Sequence, residues 1–63
     1  MSDFKERLET EKSELEGRLN RLNDFNQSEK ADAIDPVQKT LLLVQAGAMY
    51  TYNEVLKARL ERL

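Results

Sequence analysis

Four polar side chains interrupt the apolar seams of this sequence: Glu11, Arg18, Gln45 and Arg59. The last three, together with Tyr52, are of types that suit the binding of a small charged molecule. A guanidinium pairs with phosphate, an amide reads a base or a sugar, and a phenol stacks on a base. These residues predict a site for a nucleotide-type ligand. The alternative is that they form polar layers that set the register and oligomer state of packed helices.

The sequence offers little for catalysis. It contains no histidine and no cysteine, and it has neither a glycine-rich phosphate loop nor a nucleophile elbow. Its carboxylates lack the spacing of a calcium loop, so no metal site is expected. We expect a non-enzymatic binding protein without catalytic residues or cofactors. The net charge of −2 also disfavours duplex nucleic acid as a partner, because such binding depends on neutralising phosphates.

The polar candidates lie on two predicted helices, of which the first spans residues 3–26. Ser2 is placed to cap it. Its apolar seam has alternating spacings of four and three residues, which is the pattern of a coiled coil. The seam consists of Phe4, Leu8, Glu11, Leu15, Arg18, Leu22 and Phe25.

The second helix is predicted over residues 36–62. Asp35, Pro36 and Gln38 provide a cap, a favoured first residue and the last member of a capping box. The seam of this helix consists of Leu42, Gln45, Met49, Tyr52, Leu56, Arg59 and Leu63. Residues 27–35 are polar and are predicted as a connector.

A connector of this length predicts an all-α fold in which residues 1–63 form a single antiparallel two-helix hairpin, packed like a coiled coil. We expect Asn26 to lie opposite Pro36. The neighbours predicted from this register are Arg18 with Gln45, Glu11 with Tyr52, and Arg59 with Phe4.

The second helix is apolar over more than one face, which a lone hairpin cannot bury. A second stripe runs beside its seam and consists of Val37, Leu41, Val44, Ala48 and Val55. A 63-residue chain without disulfides also has a marginal core. We therefore expect a homo-oligomeric helical bundle, in which the chain itself is the partner. The candidate contacts between copies are Leu42, Ala46, Gly47, Met49, Tyr50 and Leu56.

Nearly the whole sequence resembles a family of very small helical-hairpin proteins that are encoded by phages and prophages and named after a member from a crAss-like phage. In the first half the resemblance is carried by residues 3–8, Glu11, Glu14, Leu15, Arg18, Leu19, Leu22 and Phe25. In the second half it is carried by Gln38, Leu41, Leu42, Gln45, Met49, Tyr52, Leu56, Arg59 and Leu63.

The resemblance implies a viral protein that acts in the cytoplasm of an infected bacterium. The apolar run is too short to cross a bilayer, so no membrane partner is expected. By analogy with other small phage proteins, we expect a counter-defence factor that sequesters a nucleotide-type immune signal. The alternatives are a module that masks a host or phage protein through its apolar second helix, and a structural part of the virion or of the replication machinery.

Overall fold

The computed structural model describes residues 2–63 as three helices: α1 (Ser2–Asn26), α2 (Glu29–Asp32) and α3 (Pro36–Glu61). Strands are absent from this part of the chain, so the predicted all-helical class is confirmed. No described helix has the length and apolarity needed to cross a membrane. The side chain of Ser2, which we expected to cap the first helix, lies outside the described residues.

The start of α3 is set by its capping box. The Asp35 side chain accepts a hydrogen bond from the backbone N–H of Gln38 at 3.2 Å. Pro36 occupies the first turn, where its missing N–H has no helical partner to lose. Local chemistry therefore specifies where the second long helix begins.

The two long helices lie side by side and run in opposite directions. At the hairpin tip, Asn26 Nδ2 donates to the backbone oxygen of Leu42 at 3.3 Å. Further along, Asn53 Nδ2 donates to Glu16 Oε2 at 3.4 Å. The core between the helices is formed by Leu8, Leu15 and Leu56, with Met49 and Leu60 packed against it.

The residues on the packing face differ from the predicted seam at every second position. On α3, Ala46 and Asn53 are buried and Leu60 is half-buried, whereas Gln45, Tyr52 and Arg59 are exposed. On α1, Leu19 is buried and Arg18 is exposed in the same way. Each helix is thus turned by roughly 50° from the predicted orientation. The physical reason is that this turn brings Leu19, Ala46 and Leu60 onto the packing face in place of two arginines and a glutamine, whose desolvation is costly. The turn also exchanges Tyr52 for the polar Asn53.

The connector is also more ordered than predicted, because residues 29–32 form the helical turn α2. Ala31 in this turn is buried, and Asp32 forms an ion pair with Lys39 at 2.5 Å. The helical turn therefore lies beside the first turns of α3 and extends the first arm of the hairpin. As a result Asn26 lies opposite Leu42, and the predicted pairing of Asn26 with Pro36 is wrong by more than one helical turn.

Leu56 is 0% exposed, so Leu56→Ala should leave a cavity at the centre of the only interface between the two long helices that the structure describes. We expect a loss of roughly 2–5 kcal/mol in the free energy of unfolding, measured by urea denaturation. Leu43→Ala is the matched control, because Leu43 is 53% exposed on the same helix. A similar loss in both variants would contradict the assignment of the core.

Candidate functional site

The turning of the helices places the polar candidates together on one exposed side of the hairpin. Glu11 and Arg18 are seven residues apart on α1, and Gln45, Tyr52 and Arg59 are seven residues apart on α3. Positions separated by seven lie on one side of a helix. We call the surface formed by these five residues the Tyr52 face.

A contact between the two helices lies at the centre of the Tyr52 face. The Tyr52 hydroxyl donates a hydrogen bond to Glu11 Oε2. The predicted neighbourhood of these two residues is therefore present, although the register of the helices differs. Long side chains explain this result, because they span the offset of the backbones. Tyr52 is 45% exposed, so its ring remains accessible to a ligand.

The charges around Tyr52 act on its phenol in opposite directions. The hydrogen bond to Glu11, with burial and the negative charge of Glu11, raises the pKa of Tyr52 above its ordinary value of 10.0. The positive charges of Arg59 and Arg18 oppose this increase. Both guanidinium groups therefore lie close enough to the phenol to act on its titration, and Tyr52 remains a hydrogen-bond donor at neutral pH.

The two arginines of the Tyr52 face are available to an anion. Within residues 2–63, neither Arg18 nor Arg59 forms an ion pair; the ion pairs found there join Arg7 with Asp3, Lys12 with Glu16, and Lys39 with Asp32. The other candidate, Gln45, makes a weak contact from Nε2 to the sulfur of Met49 at 3.9 Å. No hydrogen bond joins Gln45 to Arg18 among the contacts found within residues 2–63, and their predicted facing positions stay a prediction.

On the opposite side of the hairpin, polar side chains bind one another and join the two long helices. Glu16 accepts hydrogen bonds from Lys12 at 2.7 Å and from Asn53 at 3.4 Å. The bond from Lys12, followed by that from Asn53, lowers the pKa of Glu16 below its ordinary value of 4.5. These contacts join α1 to α3 in one register and leave Glu16 with partners inside the chain.

Sequence reasoning missed the polar residues that the hairpin does bury. Asn53 is buried on the packing face and Asn26 is half-buried at the tip, and the side-chain oxygen of each has no hydrogen-bond partner among the described residues. A signal was available, since Ala46, Asn53 and Leu60 repeat with the same spacing as the chosen seam. Buried amides of this kind specify register at some cost in stability.

Four of the residues predicted to contact a second copy have partners within the chain. Ala46 and Leu56 are buried, and Leu42 and Met49 are half-buried, on the face of α3 that packs against α1. Gly47 and Tyr50 are exposed. A Cβ at position 47 would meet nothing within 4 Å, so no close helix contact uses this glycine within the chain.

A shallow depression on the surface of α1 is a poorer candidate for the site. It is lined by Glu6, Arg7, Thr10, Glu11 and Glu14. Three of these five side chains are carboxylates, which repel an anionic ligand. The Tyr52 face, with two arginines to one carboxylate, is the better place for a phosphate.

The described residues form a small all-helical hairpin, with the candidate residues Arg18, Gln45, Tyr52 and Arg59 on one exposed side of its two long helices. A model of the family described as Sequestin matches residues 2–62. The chain belongs to the Sequestin family, and the resemblance to one small family over nearly the whole sequence is thereby confirmed. No curated protein and no solved structure matches the chain.

Glu11→Gln should lower the pKa of Tyr52 towards its ordinary value of 10.0, because the substitution removes the negative charge that disfavours the phenolate. The change is measured by ultraviolet titration of the phenolate in a Tyr50→Phe background, which leaves a single tyrosine. An unchanged titration would contradict the contact between Glu11 and Tyr52.

The same contact determines how stability depends on alkaline pH. The folded-state pKa of Tyr52 is above the unfolded value of 10.0, so the contact stabilises the hairpin below that pH. This contribution is lost as the pH rises through the folded-state pKa. Tyr52→Phe should therefore have a smaller loss of stability in alkaline solution than the unaltered chain.

Proposed function

We propose that this protein sequesters a small nucleotide-type ligand, which it binds on the Tyr52 face of a homo-oligomer and does not turn over. The observation that carries the proposal is that Arg18 and Arg59 lie on the same exposed side of the hairpin as an accessible tyrosine, with neither guanidinium in an ion pair among the described residues. Two guanidinium groups and an aromatic ring are the elements needed to recognise a phosphate attached to a base.

Each residue of the face has a role in this proposal. Arg18 and Arg59 pair with the phosphate oxygens, since a guanidinium presents two parallel donors to them. The ring of Tyr52 stacks on the base, and its hydroxyl donates a hydrogen bond. Gln45 is on the same side of α3 and offers both a donor and an acceptor to a base or sugar.

Glu11 has a distinct role, because its carboxylate already accepts the hydrogen bond that Tyr52 would offer to a phosphate. In the absence of ligand it holds the phenol in place and partly balances the two arginines. A bound phosphate would compete with this carboxylate for the same donors. Glu11 therefore limits the affinity of the face for simple anions, which helps to discriminate against free phosphate.

Sequestration, as opposed to turnover, is supported by the name of the family and by the residue types of the face. The name Sequestin refers to sequestering. The Tyr52 face contains no histidine or cysteine that would act as a base or nucleophile at neutral pH. With the resemblance to phage proteins, this leads us to propose a counter-defence factor that removes a host immune signal from solution.

The proposal is tested by isothermal titration of the purified protein with a panel of cyclic nucleotides and ADP-ribose derivatives. We expect one class of compound to bind stoichiometrically. Arg18→Ala should weaken that binding by roughly 10–100-fold, as expected for the loss of one charge-assisted contact. Lys57→Ala is the control, because Lys57 lies on α3 at the side of the hairpin opposite the Tyr52 face, where its positive charge helps to lower the pKa of Glu16. Circular dichroism checks that each variant remains helical.

Absence of heat for every compound would contradict the proposal, and so would equal loss of affinity in the Arg18 and Lys57 variants. A pull-down from bacteria that recovers one host protein in stoichiometric amount, without a bound small molecule, would favour the masking of a protein partner instead.

Glu11→Gln should increase the affinity for the ligand, whereas Arg18→Ala should decrease it. Because it removes the competing carboxylate, this variant should bind an anionic ligand more tightly than the unaltered chain. A weaker affinity would show that Glu11 contacts the ligand favourably, contrary to the role proposed for it. Tyr52→Phe, which retains the ring and removes the hydroxyl, separates stacking from hydrogen bonding in the same titration.

A further inference from the structure

α3 has a second packing seam that the hairpin leaves uncovered. The seam that packs on α1 occupies positions 42, 46, 49, 53, 56 and 60, with spacings of four and three residues. The second seam has the same spacings and consists of Val37, Leu41, Val44, Ala48, Thr51 and Val55. All six residues are exposed, and Val44 at the centre is 63% exposed.

The second seam has the chemistry of an interface between helices. No charged residue occurs between Thr40 and Asn53. Its one polar member, Thr51, donates a hydrogen bond from its hydroxyl to the backbone oxygen of Gly47 at 3.2 Å. The hydroxyl is thus satisfied within the helix and leaves its methyl group for packing. Contiguous apolar surface of this kind is uncommon on a protein that stays monomeric.

The length of the second seam shows how much of α3 remains uncovered. Val37, Leu41, Val44 and Val55 are each more than half exposed. From Val37 to Val55 the seam spans roughly 27 Å of helix. A helix of a second copy can therefore lie along the whole seam.

We infer that the second seam packs antiparallel against α3 of a second copy of this chain, across a two-fold axis. The spacings of four, three, four, three and four residues read the same in both directions, so the seam is complementary to itself when reversed. Val44 then lies opposite the partner's Ala48, and Val37 lies opposite the partner's Val55. The small alanine near the axis permits close approach of the two helices.

Charge favours the antiparallel direction over the parallel one. Between residues 57 and 62 three basic residues outnumber one acidic residue, and between residues 29 and 39 three acidic residues outnumber two basic ones. An antiparallel pair brings the basic end of one copy beside the acidic tip of the other. A parallel pair would place each arginine beside its own counterpart and would align the two helix dipoles unfavourably.

This arrangement completes the ligand site, an inference that rests on the proposed function. On α3 the Tyr52 face lies between the seam that contacts α1 and the second seam. The second copy therefore adds a helix along the open edge of the face and places the partner's Leu41 beside Thr51 and Tyr52. The exposed surface becomes a groove between α1 and the partner's α3, and the dimer contains two such grooves. The site is incomplete in a single chain.

Two adjacent substitutions test where the second copy binds. Val44→Glu places a charge at the centre of the second seam, whereas Leu43→Glu makes the same change on an exposed leucine that points to the other side of α3. Native mass spectrometry should give an even multiple of 7.3 kDa for the unaltered chain and for Leu43→Glu, and a single chain for Val44→Glu. A monomeric unaltered chain, or equal masses for both variants, would overturn the inference.

Cysteine cross-linking tests the direction of the helices without relying on the folding of a charged variant, and the chain has no cysteine to interfere. The double variant Val37→Cys, Val55→Cys should form a covalent dimer under mild oxidation, because each cysteine faces the other position in the partner. Each single variant should remain a single chain on a denaturing gel. Covalent dimers from the single variants would show parallel packing and overturn the inference, as would the absence of dimers from the double variant.

The cross-linking result is independent of the ligand. Covalent dimers of the double variant without heat in any nucleotide titration would support the antiparallel pair and contradict the proposed function. Nucleotide binding by the unaltered chain, without cross-linking of the double variant, would support the proposed function and contradict the antiparallel pair. If both proposals hold, the cross-linked dimer should bind the ligand at least as tightly as the unaltered chain, and Val44→Glu should lose most of that affinity.

Discussion

The contact of α1 with α3 around Leu56 is the constraint on which the rest of the structure depends. The two long helices share one interface, and of the three leucines at its centre Leu56 is fully removed from water while Leu8 and Leu15 are buried. Burial of apolar surface is the dominant favourable term for so small a chain. The positions of all other groups are therefore set by this interface. These groups include Arg18, Arg59, Tyr52 and the second seam of α3.

The polar site is a direct consequence of this constraint. Burial of Leu19, Ala46 and Leu60 turns the helices and moves the charged seam positions to one exposed side. There Tyr52 contacts Glu11, and the two arginines lie within electrostatic reach of the phenol. Lys12, Glu16 and Asn53 thereby hold the register on one side of the hairpin, and the residues of the proposed ligand site lie on the other side.

In the dimer that we propose, self-association and ligand binding are linked through the shape of α3. The apolar surface of α3 is too wide for one neighbour, and the uncovered seam lies directly beside the Tyr52 face. A second copy on this seam would also deepen the proposed site, so that burial of apolar area and formation of the groove would occur in one step. Such coupling would allow a chain of 63 residues to build a concave site, which two helices alone do not enclose.

The sequence by itself determined the helices, because capping and periodicity are local properties. The box of Asp35, Pro36 and Gln38 specified the start of α3, and the seven-residue spacing placed Tyr52 on the same side as Arg59. Only the tertiary structure decided which of two overlapping seams is buried and that the turn at Ala31 displaces the register. The physical reason is that seams 50° apart have equal periodicity, and the choice between them depends on the desolvation of residues from both helices at once.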